Sequence, residues 1–356
     1  MPVIGRRRSR DRSRRMNLLF TSAGRRDYLV EYFSAALGSD DEIHIGNSNP
    51  LCSAFLAPGH RVVTPLIHAA EYIPFLLDYC EKHRIDGLIP LFDVDLPVLA
   101  DARESFAKGG TTVVVSDPDI ARTCNDKWLT AQWLERFGLS CPTTFLTLAA
   151  AQSAIDCGAL TFPVVVKPRW GMGAIGVMTA ATPAELPAIV EHVRRRVFET
   201  YLRFESASAP EECVIIQAHA EGVEYGLDVL NDFHGRHAAT VVKRKLAMRY
   251  GETDAAVIED VPALQALGRQ LSTHLGHRGN LDVDVFFANG AVSVLELNCR
   301  FGGGYPFAHL AGANFPAAVV AWLAHREPRP EWLRARPGTT GIKAIQPRLY
   351  DVTQAL

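Results

Sequence analysis

Residues 281–300 read LDVDVFFANGAVSVLELNCR. Residues 283–287 are rich in β-branched and aromatic side chains, and residues 291–297 in Val and Leu. Ala288-Asn289-Gly290 lies between them, so the stretch reads as a hairpin with a tight turn. Its polar residues are unusually placed. Glu296 and Asn298 are two apart and share one face of a strand. The hairpin can bring Asp284 opposite them. Two carboxylates and an amide oxygen then converge at one end of an apolar ribbon. Burying paired carboxylates is costly unless a cation neutralises them. All three donors are hard oxygens, with no His or Cys among them, which favours Mg²⁺ over zinc. Mg²⁺ held by one or two carboxylates completes its shell with water and nucleotide phosphates. The competing reading is a half-buried hairpin with solvated acids, so the rest of the chain must supply the nucleotide site.

The 356-residue chain has room for two or three compact units. Its composition, 48% hydrophobic and 21% charged, is that of an ordinary globular protein. A formal net charge of −2 gives no global field that argues for nucleic acid or membrane. Seven cysteines, with no C-x-x-C pair, indicate neither a disulfide framework nor a zinc knuckle, and fit a reducing cytoplasm. No apolar run reaches membrane-spanning length. Residues 1–15 carry seven Arg and one Asp with little to bury, which predicts a disordered extension before a second start at Met16. An Arg-rich arm touching nucleic acid is the lesser reading.

Upstream of the hairpin, residues 17–21 (NLLFT), a turn through Ser22-Ala23-Gly24-Arg25-Arg26 and a helix over 27–37 open an α/β unit. Strands at 42–46, 61–64, 87–90 and 112–116 alternate with helices over 69–83 and 96–106. This pattern predicts a parallel sheet, whose ligands sit beyond the carboxyl ends of its strands. Those ends carry Arg25, Arg26, Asp93 and Asp95, read either as caps and surface charge or as substrate anchors. The first turn has a single glycine and is no dinucleotide fingerprint. Asn125 or Asp126 is placed to cap the next helix.

Residues 162–177, FPVVVKPRWGMGAIGV, predict a strand ending at Lys167 and a loop of Gly171, Gly173 and Gly176 leading to another strand. G-x-G-x-x-G needs a following helix to bind a dinucleotide, so this loop is instead a flap. Its free N–H groups suit phosphates, with Lys167 as a point charge. A long helix is expected over 185–204, and a buried strand at 213–217. Gln217 and the turn through Ala218 and Ala220 suit a purine edge read by backbone groups, and Glu224 a ribose. Lys243, Lys245 and Arg249 are expected on one strand face, either solvated or meeting a polyphosphate. Residues 251–260 show no clear period and read as a mobile loop. Residues 261–275 and 316–325 read as helices, and Arg300, two past Asn298, falls on the metal side. Gly302-Gly303-Gly304 offers N–H groups to an anion.

Together, Lys127, FPVVVKPRWGMGAIGV, QAHAEGVEYGLDVL and DVFFANGAVSVLELNCR resemble the ATP-grasp superfamily, in particular its carbamoyl-phosphate-synthetase-like ligases. FTSAGRRDYLVEYF is similar to that subgroup's N-terminal domain. The likeness runs over about residues 16–325. It implies an α/β fold: a Rossmann-like parallel-sheet domain followed by a two-lobed α+β ATP-grasp module. The expected divisions are the extension at 1–15, an N-terminal domain at 16–120, a small lobe with the flap at 121–214, a C-terminal lobe with the Mg site at 215–326, and a tail at 327–356.

The resemblance further implies ATP with Mg²⁺, or Mn²⁺, as cofactors. Lys127, Lys167 and the loop of Gly171, Gly173 and Gly176 would hold phosphates. Gln217, Ala218 and Ala220 would read adenine, and Glu224 would hold ribose. Asp284, Glu296 and Asn298 would bind the metal. Arg300 would act in catalysis, with Lys243 and Arg249 as weaker candidates. Cys299 stands where relatives commonly have Pro, which bears on backbone rigidity more than on ligation. The implied reaction is ATP-dependent joining of a carboxylate to an amine through an acyl phosphate, on an amino acid or small peptide. The implied partners are those small molecules, not nucleic acid or membrane, with a homodimer as the common assembly. Bicarbonate phosphorylation and a catalytically inactive ATP-binding module are the alternatives.

Overall fold

The computed structural model describes residues 15–350. The Arg-rich extension, save Arg15, lies outside the described residues, as do residues 351–356. NLLFT forms β1 (Asn17–Thr21), buried along its whole length. A strand buried on both faces belongs inside a parallel sheet. After α1 (Asp27–Ser34) come β2 (Glu42–Asn47), β3 (His60–Val63), α2 (Tyr72–Lys82), β4 (Gly87–Pro90), α3 (Asp95–Lys108) and β5 (Thr112–Val113). These strands pair in parallel in the order β3-β2-β1-β4-β5. The order reverses at β1, between β2 and β4. The crevice beyond the carboxyl ends of β1 and β4 is therefore the place for a ligand, and Arg25, Arg26 and Asp93 stand there.

The chain then forms α4 (Pro118–Asn125), α5 (Lys127–Arg136), β6 (Thr144–Phe145), α6 (Leu148–Asp156), β7 (Val164–Pro168), β8 (Met178–Ala180), α7 (Leu186–Phe198), α8 (Arg203–Ser206) and β9 (Val214–Ala218). Asp126 caps α5, accepting from the amides of Trp128 and Leu129. The strands make an antiparallel sheet, β6-β9-β7-β8, with its own core. On α7, Leu186, Val190, Val193 and Val197 recur at helical spacing and face that core. The helix expected over 185–204 breaks at 199–202. There the chain turns to bury Leu202 under the glycine loop, where a Cβ on Gly171 would lie 2.4 Å from Leu202 Cδ2. The sheet also runs to Ala218, four residues past the expected lobe boundary at 214.

The last unit holds β10 (Val223–Asn231), β11 (His237–Arg249), β12 (Glu252–Ile258), α9 (Pro262–Leu275), β13 (Gly279–Ala288), β14 (Ala291–Asn298), α10 (Tyr305–Leu310), α11 (Phe315–Leu323) and β15 (Thr340–Ile342). Its sheet is antiparallel, in the order β14-β13-β10-β11-β12-β15. The segment read as a mobile loop is strand β12, held between β11 and β15. Pairing partners, not local periodicity, make it a strand. Asn289 and Gly290 both have positive φ, as a two-residue turn of the mirror-image type requires.

Along β13 the side chains alternate. Leu281, Val283 and Val285 are fully buried beside Leu264, Leu267 and Leu271 of α9. Asp282 and Asp284 point the other way. Gly268 lets α9 close on β11, since a Cβ there would sit 2.4 Å from Thr240 Oγ1. Gly268→Ala is expected to destabilise the fold by about 1–3 kcal/mol through overpacking, read as a lowered denaturant midpoint with unchanged slope.

Candidate active site

The polar face of β13 and β14 floors a cavity of about 800 Å³. The glycine loop and β9 form its roof, and the carboxyl ends of β1 and β4 close one side. Pairing puts Asp284 opposite Glu296 and Asp282 opposite Asn298. Lys127, Lys167, Gly173, Gln217, Ala218, Ala220, Glu224, Lys243, Asp284, Glu296, Asn298 and Arg300 all line it. Gly171 lines a smaller recess behind the loop. Gly176 instead packs on Pro168, 3.1 Å from where its Cβ would be.

The cations are not equally free. Lys245 is shared by Glu224 at 2.6 Å and Asp284 at 2.7 Å. Lys243 is buried and its ammonium pairs with Asp228 beneath the floor. Arg249 is absent from the cavity lining and pairs with Asp254 on the neighbouring strand. The three cations expected on one phosphate-facing side are therefore each met by a protein carboxylate. Irregularities between Lys245 and Met248 also break the strand's period.

Arg300 is gripped by Asp93 at 2.9 Å and by Asp282 at 3.0 Å, so its guanidinium is fixed at the cavity wall. The reading of Asp93 and Asp95 as substrate anchors does not fit their partners. Asp93 is committed to Arg300, and Asp95 is buried and accepts from the Tyr72 hydroxyl at 2.5 Å. Arg25 and Arg26 line the cavity without any ion pair among the described residues. Arg26 donates to the Phe301 carbonyl, and burial, with Arg300 beside it, pulls its pKa below the usual range.

On the roof, Lys127 donates to the Gly171 carbonyl and so braces the loop. The loop also meets the turn after β11, where a Cβ on Gly251 would lie 2.4 Å from the Ala174 nitrogen. Gln217 donates to Thr144 Oγ1 at 2.8 Å, and the Ala218 N–H to the Thr143 carbonyl at 2.8 Å. Any edge that Ala218 reads is therefore read by its carbonyl. Cys299 is buried, its sulfur 3.0 Å from that of Cys124, and all seven cysteines are free. Among the described residues no helix is long and apolar enough to cross a membrane.

Asp284, Glu296 and Asn298 suit a hard divalent cation. The Glu296 side chain makes no hydrogen bond or ion pair among the described residues. Burial pushes the Asp284 carboxyl up to about 6 against the pull of Lys245, with Asp282 and Glu296 adding repulsion. A cation between facing acids relieves that repulsion. Sequence reasoning passed over Asp282, Phe92 and Tyr201, all of which line the cavity. Asp282 was within reach, since it shares the strand face of Asp284 two residues on.

Burial, opposed by Glu296, pulls the Lys167 ammonium down to about 8. Below that pH it is charged, and above it an anionic ligand must bring a proton with it. Metal-free ADP is therefore expected to bind progressively more weakly as pH rises through about 8. Lys167→Arg should flatten that fall in a titration by calorimetry.

The family model described as PylC-like, N-terminal domain, matches residues 18–114. The model described as ATP-grasp in the biosynthetic pathway with Ter operon matches residues 211–344. A carbamoyl phosphate synthase large chain from Gemmatimonas aurantiaca is 26% identical over 261 residues, covering 67% of this chain and 22% of that relative. The chain thus spans about a fifth of the length of such large chains. A putative D-alanine–D-lactate ligase from Streptomyces coelicolor is 26% identical over 250 residues, covering 67% of this chain and 70% of the relative. Among solved structures, an L-amino acid ligase from Bacillus licheniformis superposes with a TM-score of 0.71 at 18% identity, covering 94% of this chain and 82% of that one. A biotin carboxylase from Campylobacter jejuni, crystallised with β,γ-ATP, gives 0.69 at 12% identity, covering 90% and 73%. The two matched segments bracket the cavity, and the sheets that form it are those of these neighbours. The two family models and these relatives together support the ATP-grasp carboxylate–amine ligase superfamily.

Proposed function

We propose that this protein is an ATP-dependent ligase that joins a carboxylate to an amine, with an amino acid or small peptide as substrate. The observation that carries the reading is the cavity's division of charge. Lys127 and Lys167 line its roof, facing acids on its floor, and Arg25 and Arg26 line it without acidic partners.

A substrate carboxylate oxygen attacks the γ-phosphorus of ATP, and the bond to the ADP oxygen breaks. The amine nitrogen then attacks the acyl carbon. Phosphate leaves with the bonding pair, and the nitrogen loses its proton. A carboxylate alone has no adequate leaving group, and phosphorylation supplies one. The protein's contribution is to position the reactants and to stabilise charge on the moving phosphoryl group.

Lys127 and Lys167 are assigned to the phosphates, under the loop of Gly171, Gly173 and Gly176. Gln217, Ala218 and Ala220 are assigned to the base, and Glu224 to the ribose. Asp284, Glu296 and Asn298 would hold Mg²⁺, which supplies charge neutralisation at the phosphates. Arg300, held by two carboxylates, presents fixed positive charge to the acyl phosphate. Arg25, Arg26 and the N–H groups of Gly303 and Gly304 are assigned to the acyl donor's anionic group. The glycine loop, already touching the turn after β11, excludes water from the acyl phosphate. Lobe divisions near residues 120 and 218 fit this assignment.

ADP release across a panel of amino acids, carboxylic acids and small peptides, with mass spectrometry of the products, tests the reading. An amide product supports it. ATP binding without product across the panel would favour a non-catalytic nucleotide-binding module. The relatives named carbamoyl phosphate synthase motivate one alternative, phosphorylation of bicarbonate. Stimulation of ADP release by bicarbonate alone would select it.

A further inference from the structure

We infer that the edge of the N-terminal sheet carries a second metal site, built from Glu42, His44 and His60 and suited to zinc. Glu42 and His44 are two apart on β2 and share a face. His60 is the register partner of His44 across the β2–β3 pair. The Nε2 of His44 lies 3.7 Å from one Glu42 carboxylate oxygen, and the Nε2 of His60 lies 3.5 Å from the other. One ligand atom from each residue falls within 4.8 Å of the others. Ligands around a tetrahedral zinc stand about 3.3 Å apart, given bonds of about 2.0–2.2 Å. Only a small closure is needed, and the exposed His60 is free to make it.

The independent observation is His44 itself. It is 1% exposed, and its Nε2 has no hydrogen-bond partner. Its Nδ1 lies 2.8 Å from the Tyr79 hydroxyl. With Nδ1–H donated to Tyr79, the Nε2 lone pair is aimed at the cluster, the arrangement by which a second shell fixes a ligating imidazole. The rival contact is Arg15, which pairs with Glu42. A cation there displaces the guanidinium from the carboxylate. Two imidazoles and one carboxylate, without thiolates, are a set that zinc takes and that Fe(II) also takes, and zinc, which has no redox chemistry, is the ion to test.

Glu42 and His60 begin their strands, whereas the cavity lies beyond the strands' other ends. A cation here clasps edge strand β3 to β2 and takes no part in turnover. The test is zinc titration of the chelator-stripped full chain against a chromophoric competitor, in a Glu296→Gln background that weakens the cavity's own metal site. One zinc per chain is expected. His60→Gln should weaken it by more than roughly a hundredfold, and Tyr79→Phe by about 10–100-fold. Zinc should raise the melting temperature only where His60 is present. Equal zinc affinity and stoichiometry with and without His60, or no zinc bound in the Glu296→Gln background, would overturn the inference. Neither outcome bears on the ligase reading, which ADP release tests separately.

Discussion

Replacing Glu296 with Gln is expected to lower ATP-dependent ADP release by about 10²–10³-fold, the range for losing one electrostatic stabiliser of a developing charge. The substitution keeps shape and removes one negative charge. Among the described residues Glu296 is a floor acid without an ion-pair partner, whereas Asp284 is already shared with Lys245. A divalent cation therefore loses most by its removal. The change also takes away one of the acids that repel Asp284, so that carboxyl should titrate below its present value of about 6. Folding should be nearly untouched, within about 0.5 kcal/mol, because the side chain is partly exposed and bonded to nothing. Undiminished ADP release at saturating Mg²⁺ would remove Glu296 from the machinery. A parallel loss of melting temperature would mean that the variant reports on folding instead. Lys167→Ala should lose ADP release to a similar extent by a different route, with weaker binding of metal-free nucleotide.

The residues that sequence reasoning placed well are those whose geometry is set by short-range rules. A two-residue turn fixes the register of β13 on β14 from Ala288–Ala291 to Val285–Val294 and so brings Asp284 close to Glu296, although an irregularity between Asp284 and Val285, and not the spacing, sets the two acids directly opposite. The glycine loop between two strands was legible because Val177-Met178-Thr179 reads as a strand, and Met178–Ala180 forms one. What was not legible depended on distant partners. Lys243 and Arg249 look alike in sequence, as cations on a strand. Their fates are set by Asp228, 15 residues away, and Asp254, 5 residues away, across pairings and irregularities that no local pattern announces. Asp93 and Arg300, 207 residues apart, give no sign of each other. β12 has no period of its own because it is supported from both sides. The helix over 185–204 broke for a packing reason, the burial of Leu202 under Gly171.

Lys243 offers the sharpest test of that difference. As a phosphate contact it would be dispensable for folding, and Lys243→Met would lose activity with stability intact. The structure leads to another expectation. Lys243 and Asp228 are buried side chains, 2% and 0% exposed, and the ammonium is the cationic partner of that carboxylate. Asp228 also accepts from Asn280 at 3.2 Å, and burial raises its pKa. Removing the ammonium leaves a buried carboxylate uncompensated, which costs about 3–5 kcal/mol. Lys243→Met should therefore lower the denaturation midpoint sharply. Asp228→Asn added to it keeps the oxygen that Asn280 bonds and removes the stranded charge. The double variant should recover much of the loss, with a coupling energy of about 0.5–3 kcal/mol in the four-variant cycle. The pair also underlies the cavity wall, since Cβ atoms on Gly226 and Gly304 would each lie 3.3 Å from Lys243 Cε. If Lys243 only shapes that wall, the recovered double variant should regain ADP release together with its stability. Recovered stability without activity would return Lys243 to the chemistry, as a charge that the transferring phosphoryl group requires.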